Sequence, residues 1–108
     1  MIVERNRWSE FLSELSRQAD GYQVTVEIMS EELGDQVEIR RAALRELAFD
    51  PREGIAISIG DAEGYAELLR HVIARPILVE TTDEPGVPSA LLIEDETGTK
   101  TLVRLAAE

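Results

Sequence analysis

Trp8-Ser9-Glu10-Phe11-Leu12-Ser13-Glu14-Leu15-Ser16-Arg17-Gln18-Ala19 and, after Asp20-Gly21, Tyr22-Gln23-Val24-Thr25-Val26-Glu27-Ile28-Met29 carry two different apolar periods side by side. In the first stretch Trp8, Leu12, Leu15 and Ala19 recur at steps of three and four, with Phe11 beside them. That spacing predicts an amphipathic helix over about 7–19. In the second, Tyr22, Val24, Val26 and Ile28 alternate with Gln23, Thr25 and Glu27, which predicts a half-buried strand. A helix with one apolar stripe has to cover a sheet, so the change of period at Gly21 makes this an α+β chain. Asn6 is the expected helix N-cap and Gly21 the expected stop.

Working outward, 36–42 repeats the alternation through Val37 and Ile39 and should form a hairpin with 22–29. A further strand is expected over 44–49. Asp50-Pro51-Arg52-Glu53-Gly54 is a strong turn signal, because proline pre-sets φ and glycine supplies a positive φ on exit. The strand over 55–59 sets Ile55, Ile57 and Ile59 against Ala56 and Ser58, whose small size permits close approach on the second face. A second helix is expected over 61–75, with Tyr65, Leu68, Leu69, Val72 and Ile73 as its apolar face and Arg70, His71 and Arg75 at its C-terminal end, where cations suit the dipole. Pro76 ends it, and Gly64 weakens it. Strands follow over 77–82, 90–93 and 101–105, the second read as buried on both faces. The expected architecture is the first helix packed on a bent, mostly antiparallel sheet or partial barrel of about six to seven strands in one domain.

The chain has 108 residues, enough to bury a core without metal or disulfide. Acids outnumber bases 22 to 11, a formal charge of −11 spread over both halves. That field disfavours nucleic acid and anionic membranes as partners. Cysteine is absent, which removes thiol catalysis and thiolate metal sites. No window approaches the roughly 18 apolar residues of a membrane span, and Met1-Ile2-Val3-Glu4-Arg5 does not read as a signal peptide. The expectation is a cytoplasmic protein.

Several pieces in order resemble one bacterial family. They are Trp8-x-x-Phe11-Leu12, Ser16-Arg17-Gln18, Gly21 to Glu27, Gly34 before Val37-Glu38, Leu47-x-Phe49-Asp50-Pro51, His71-x-Ile73-x-x-Pro76, and Leu92-Ile93-Glu94-Asp95-x-x-Gly98-Thr99-x-Thr101-Leu102. In this order they resemble the family of domain of unknown function 5335 across nearly the whole chain. The resemblance implies a short bacterial cytoplasmic domain with no assigned activity, and it carries over no catalytic residue.

Candidate residues are few. His71 is the single histidine and can in principle act as a base or a ligand, but no second histidine or cysteine accompanies it. Pairing it with Ser58 finds no nucleophile-elbow context. The acidic groups Glu31-Glu32 with Asp35, Asp83-Glu84 and Glu94-Asp95-Glu96 lack the alternate ligand spacing of a calcium loop and read as solvated turns. Arg40, Arg41 and Arg45 form a basic knot that can seat an oxyanion, though pairing with nearby acids competes. Trp8 is either a partner anchor or core, and its stripe favours core. Two readings follow. The first is a non-enzymatic binding or assembly module, in its simplest form a homodimer, with Trp8, Arg40 and Arg45 as interaction residues. The second is a small-ligand or hydrolytic domain, its ligand unspecified, with a pocket lined by Tyr65, His71 and Arg75 beside the second helix. Neither reading calls for a cofactor or a metal.

Overall fold

The computed structural model describes residues 1–30, 32, 34–61 and 67–107, with the side chains of 35–41, 67 and 68 outside the description. The predicted stripe forms helix α1, Trp8–Gln18, and buries Trp8, Leu12 and Leu15. Asn6 does not cap it. A short 3-10 turn, Arg5–Arg7, leads in, and Arg7 takes the N-cap position with no side-chain hydrogen bond. The helix stops before Gly21, whose φ of 81° turns the chain toward the sheet.

Seven strands follow: β1 (Gln23–Ser30), β2 (Gly34–Asp50), β3 (Gly54–Gly60), β4 (Glu67–Ile73), β5 (Pro76–Thr81), β6 (Ala90–Asp95) and β7 (Lys100–Ala106). They form one sheet in the order β4-β3-β2-β1-β7-β6-β5, and each pairing is antiparallel. Two expectations are corrected. The stretches 36–42 and 44–49 are one strand, because β2 runs 17 residues and serves two neighbours in succession. Its first part pairs with β1 as far as Ala43, and its last part pairs with β3 from Ala43 onward. Register shifts at Val24/Val26 and Leu44/Glu46 let it bend between the two tasks.

The second correction concerns the helix expected over 61–75. Residues 67–73 form strand β4, with Leu69 opposite Ile59, His71 opposite Ile57 and Ile73 opposite Ile55. Tyr65 lies outside the described residues. The run Leu68, Leu69, Val72, Ile73 fits a helical face, but Leu69, His71 and Ile73 also alternate with Arg70 and Val72. Short apolar runs of this kind are ambiguous by period alone. Pairing decides it here: β3 needs a second neighbour, and β-branched Val72 and Ile73 suit a pleated surface. The doubly buried strand is also not 90–93, where Leu91 and Ile93 are buried while Ala90 and Leu92 are only half so. It is β3, buried at every position. Its outer residues, Ala56 and Ser58, are too short to rise above their neighbours.

The curvature of the sheet follows from its pairings. Direction alternates along the order, so β4 and β5, its first and last members, run the same way. Flat, these edges would stand about 29 Å apart at about 4.8 Å per strand. Yet only Ala74 and Arg75 join them, and three peptide steps span at most about 11 Å. The sheet must therefore curl until its edges meet at one corner. Inside the curl, apolar residues from all seven strands share a core with the α1 stripe.

Two devices finish the edges. Beyond Leu44 one side of β2 has no strand beside it among the described residues, and α1 lies there instead. The Ser16 hydroxyl accepts from the Leu47 N–H at 2.6 Å and directs its own proton toward the Leu47 and Leu12 carbonyls, at 2.7 and 2.9 Å. At the other end, the Val3 N–H donates to the Val79 carbonyl and the Thr81 N–H to the Met1 carbonyl, both at 2.8 Å. Residues 1–3 thus cover the outer edge of β5. No helix among the described residues is long and apolar enough to cross a membrane.

The loop between β5 and β6 is tied by Glu84. The Ser89 hydroxyl, the Thr82 hydroxyl and the Ser89 N–H, which donates to Glu84 Oε1 at 3.0 Å, hold this carboxyl at about 2, below its ordinary 4.5. The folded-state value is the lower one. The contribution of this carboxylate to stability is therefore present above pH 4.5 and lost as pH falls through about 2. An NMR titration of the Glu84 carboxyl carbon should give a midpoint near 2 in the folded chain. Ser89→Ala should move that midpoint back toward 4.5; an ordinary midpoint in the unmutated protein would contradict the assignment.

Candidate functional site: an arginine-lined cleft

The corner that joins β4 to β5 lies beside the turn that joins β2 to β3. That turn is built as its sequence dictates. The Asp50 carboxylate accepts from the Arg52 N–H at 2.7 Å, and Gly54 leaves the turn at φ 114°. A Cβ on Gly54 would lie 2.0 Å from the Ile73 carbonyl oxygen, so only glycine lets the two segments approach this closely. Between them opens a cleft of about 280 Å³, lined by Arg5, Arg52, Arg75, Glu96 and an apolar wall of Phe49, Pro51, Pro76 and Ile77.

Each arginine arrives from a different segment. Arg5, on the 3-10 turn, holds its guanidinium 5.0 Å from the Trp8 ring centroid and 5.4 Å from that of Phe49. The two rings meet edge to face at 5.2 Å, giving that cation a fixed aromatic floor. Arg52 sits exposed at the β2–β3 turn with no ion pair among the described residues. Arg75 occupies the corner at φ 49°, the one non-glycine residue at positive φ among those described. That conformation costs an L-residue about 1–2 kcal/mol, and glycine would adopt it freely. Glu96 fixes the residue twice: its N–H donates to the Arg75 carbonyl at 3.1 Å, and its carboxylate accepts from Arg75 Nε at 2.6 Å.

The sequence-based candidates fall as follows. Arg75 lines the cleft. His71 does not; opposite Ile57 it shares that residue's face of the sheet, half-buried on β4. With β4 a strand, its reading as a cation at a helix C-terminus no longer applies. Tyr65 lies outside the described residues. Trp8 is 2% exposed and donates Nε1–H to the Val3 carbonyl at 2.9 Å, so it is a core residue that supports Arg5 from beneath. Arg45 ties loop ends together: Nη2 donates to the Asp61 carbonyl at 2.9 Å, and Nη1 lies 3.7 Å from the Asp20 carboxylate. Arg40 lies in β2, with its side chain outside the description. Sequence reasoning missed Arg5, Arg52, Phe49 and Glu96. The available signal was two arginines, Arg52 and Arg75, each adjacent to a proline at a turn of an acidic chain.

A family model described as a family of unknown function, DUF5335, matches residues 1–108. The chain belongs to the DUF5335 family. One relative, from Aquifex aeolicus (strain VF5), is 24% identical over 103 residues, spanning 95% of this chain and 88% of its own, and is described as an uncharacterized protein. No solved structure matches. Neither description specifies an activity, so the cleft's chemistry has to be argued from its residues.

Proposed function

We propose that this protein is a non-enzymatic binding module whose working site is the Arg5–Arg52–Arg75 cleft and whose ligand carries an anionic group. One observation supports the reading above others: three guanidinium-bearing side chains from separate segments converge on one concavity of a chain whose net charge is −11. Guanidinium forks match oxyanions in geometry as well as charge. The strongly negative remainder of the surface disfavours a polyanion, so the fitting ligand is small. This site replaces the pocket expected around Tyr65, His71 and Arg75 and keeps Arg75 from it.

The reading is tested by thermal unfolding in inorganic phosphate, against chloride at matched ionic strength. Bound ligand at about ten times its Kd adds about 1.4 kcal/mol, several degrees in the melting temperature of a domain this size. Phosphate also stabilises folded proteins nonspecifically, so the comparison is with the double variant Arg52→Gln, Arg75→Gln. The native protein should gain several degrees more than the variant; equal gains would reject the site.

A second reading concerns assembly. Residues 1–3 cover the β5 edge, whereas the outer edge of β4 has no strand beside it among the described residues. An uncovered edge can pair with another chain, and a second copy is the simplest partner. Light scattering should then give twice 12.0 kDa; a strict monomer at high concentration would remove this reading.

A further inference from the structure

We propose that the cleft selects a small organic phosphate monoester over a carboxylate. This rests on the anion-binding reading above and names the ligand class of that site. Charge is the first argument. Three arginines and Glu96 leave the lining with two positive charges. A phosphate monoester near pH 7 carries about −1.5 to −2, which closes that balance, while a carboxylate neutralises only half of it.

Donor geometry is the second. The guanidinium groups come from the 3-10 turn, the β2–β3 turn and the β4–β5 corner, so three separate segments supply donors to one cleft. A phosphoryl group offers three terminal oxygens to such donors, whereas a planar carboxylate is satisfied by one fork. The chain already supplies a carboxylate to one fork: Glu96 accepts from Arg75 Nε at 2.6 Å. A free carboxylate would duplicate that contact. The end-on edge of Arg75, the Arg52 guanidinium and the donors of Arg5 beyond the Nη1 that reaches the Pro76 carbonyl at 3.5 Å are left for a group that needs more than one cation.

Shape is the third. Ile77 is 57% exposed on the cleft wall, next to Pro76 and Phe49. An apolar wall beside convergent cations suits a charged head on an apolar body. The volume of about 280 Å³ has room for one ring and its phosphate. Glu96 adds the one negative charge of the lining, which opposes a dianion about twice as strongly as a monoanion: removing it should strengthen binding of every anion and widen the preference for the dianion.

Isothermal titration at low ionic strength with phenyl phosphate, inorganic phosphate and benzoate tests this on the unmutated protein and on Glu96→Gln. Phenyl phosphate should bind at least about tenfold more tightly than benzoate, the weight of one further charge-assisted hydrogen bond, and more tightly than inorganic phosphate. In Glu96→Gln the ratio of phenyl phosphate to benzoate affinity should rise. Benzoate as tight as phenyl phosphate would overturn the phosphoryl assignment. Inorganic phosphate as tight as its phenyl ester would overturn the organic one. Either result leaves the anion site standing, whereas no binding by any of the three would overturn both.

Discussion

Replacing Trp8 by alanine should lower stability by about 3–5 kcal/mol, a large share of the roughly 5–15 kcal/mol typical of a domain. The indole is 2% exposed, at the start of the α1 stripe. Three separate features depend on it. Its ring fills the core against Phe49. Its Nε1–H satisfies the Val3 carbonyl in the segment that covers the β5 edge. Its face supports the Arg5 guanidinium. Trp8→Phe keeps an aromatic ring and abandons the hydrogen bond, so it should cost less, about 1–3 kcal/mol, most of it from a buried carbonyl left without its donor. Urea unfolding followed by circular dichroism measures both, because the substitution removes the chain's one tryptophan fluorophore. A loss below about 1 kcal/mol for Trp8→Ala would mean that the helix does not anchor this core.

Gly54→Ala should be comparably severe, by a different cause. The new Cβ would stand 2.0 Å from the Ile73 carbonyl oxygen, 2.9 Å from its carbonyl carbon and 3.1 Å from the Ala74 Cα. All three are backbone atoms, so no rotamer change relieves the contact. Either the β2–β3 turn or the β4–β5 corner has to move, and a loss of about 3–5 kcal/mol is expected. Gly98→Ala is the matched control. Gly98 also has positive φ, 88°, but a Cβ there would meet no atom within 4 Å, so its cost is the conformational part alone, about 1–2 kcal/mol. Equal losses from the two substitutions would show that the turn and the corner are not in contact, and the cleft between them would go with that contact.

Parts of this molecule can be read from its residues because they depend on local periodicity. The α1 stripe and the alternation of 22–29 and 101–105 need no distant partner to be recognised. Elements that depend on pairing are different. Val37 to Phe49 shows alternation without showing that one strand serves two neighbours and bends at Leu44. The residues of β4 satisfy a helical and a pleated pattern together, and only the demand of β3 for a second partner separates them. The cleft is harder still. Arg5, Arg52 and Arg75 sit far apart along the chain, share no motif, and meet only because a two-residue link forces the edges of a seven-stranded sheet to one corner. His71 stands out in the sequence as the single histidine, while Arg75, four positions on and at positive φ, is the one that lines a concavity.

A proton–nitrogen NMR titration with inorganic phosphate decides whether the three arginines form one site. The Nε–H signals of Arg5, Arg52 and Arg75 should move along a single saturating curve with the amides of Gly54, Ile77 and Glu96, while amides of β1 and β7 stay in place. Perturbations that gather around Arg40 and Arg45, or that spread over the surface without saturating, would contradict the site.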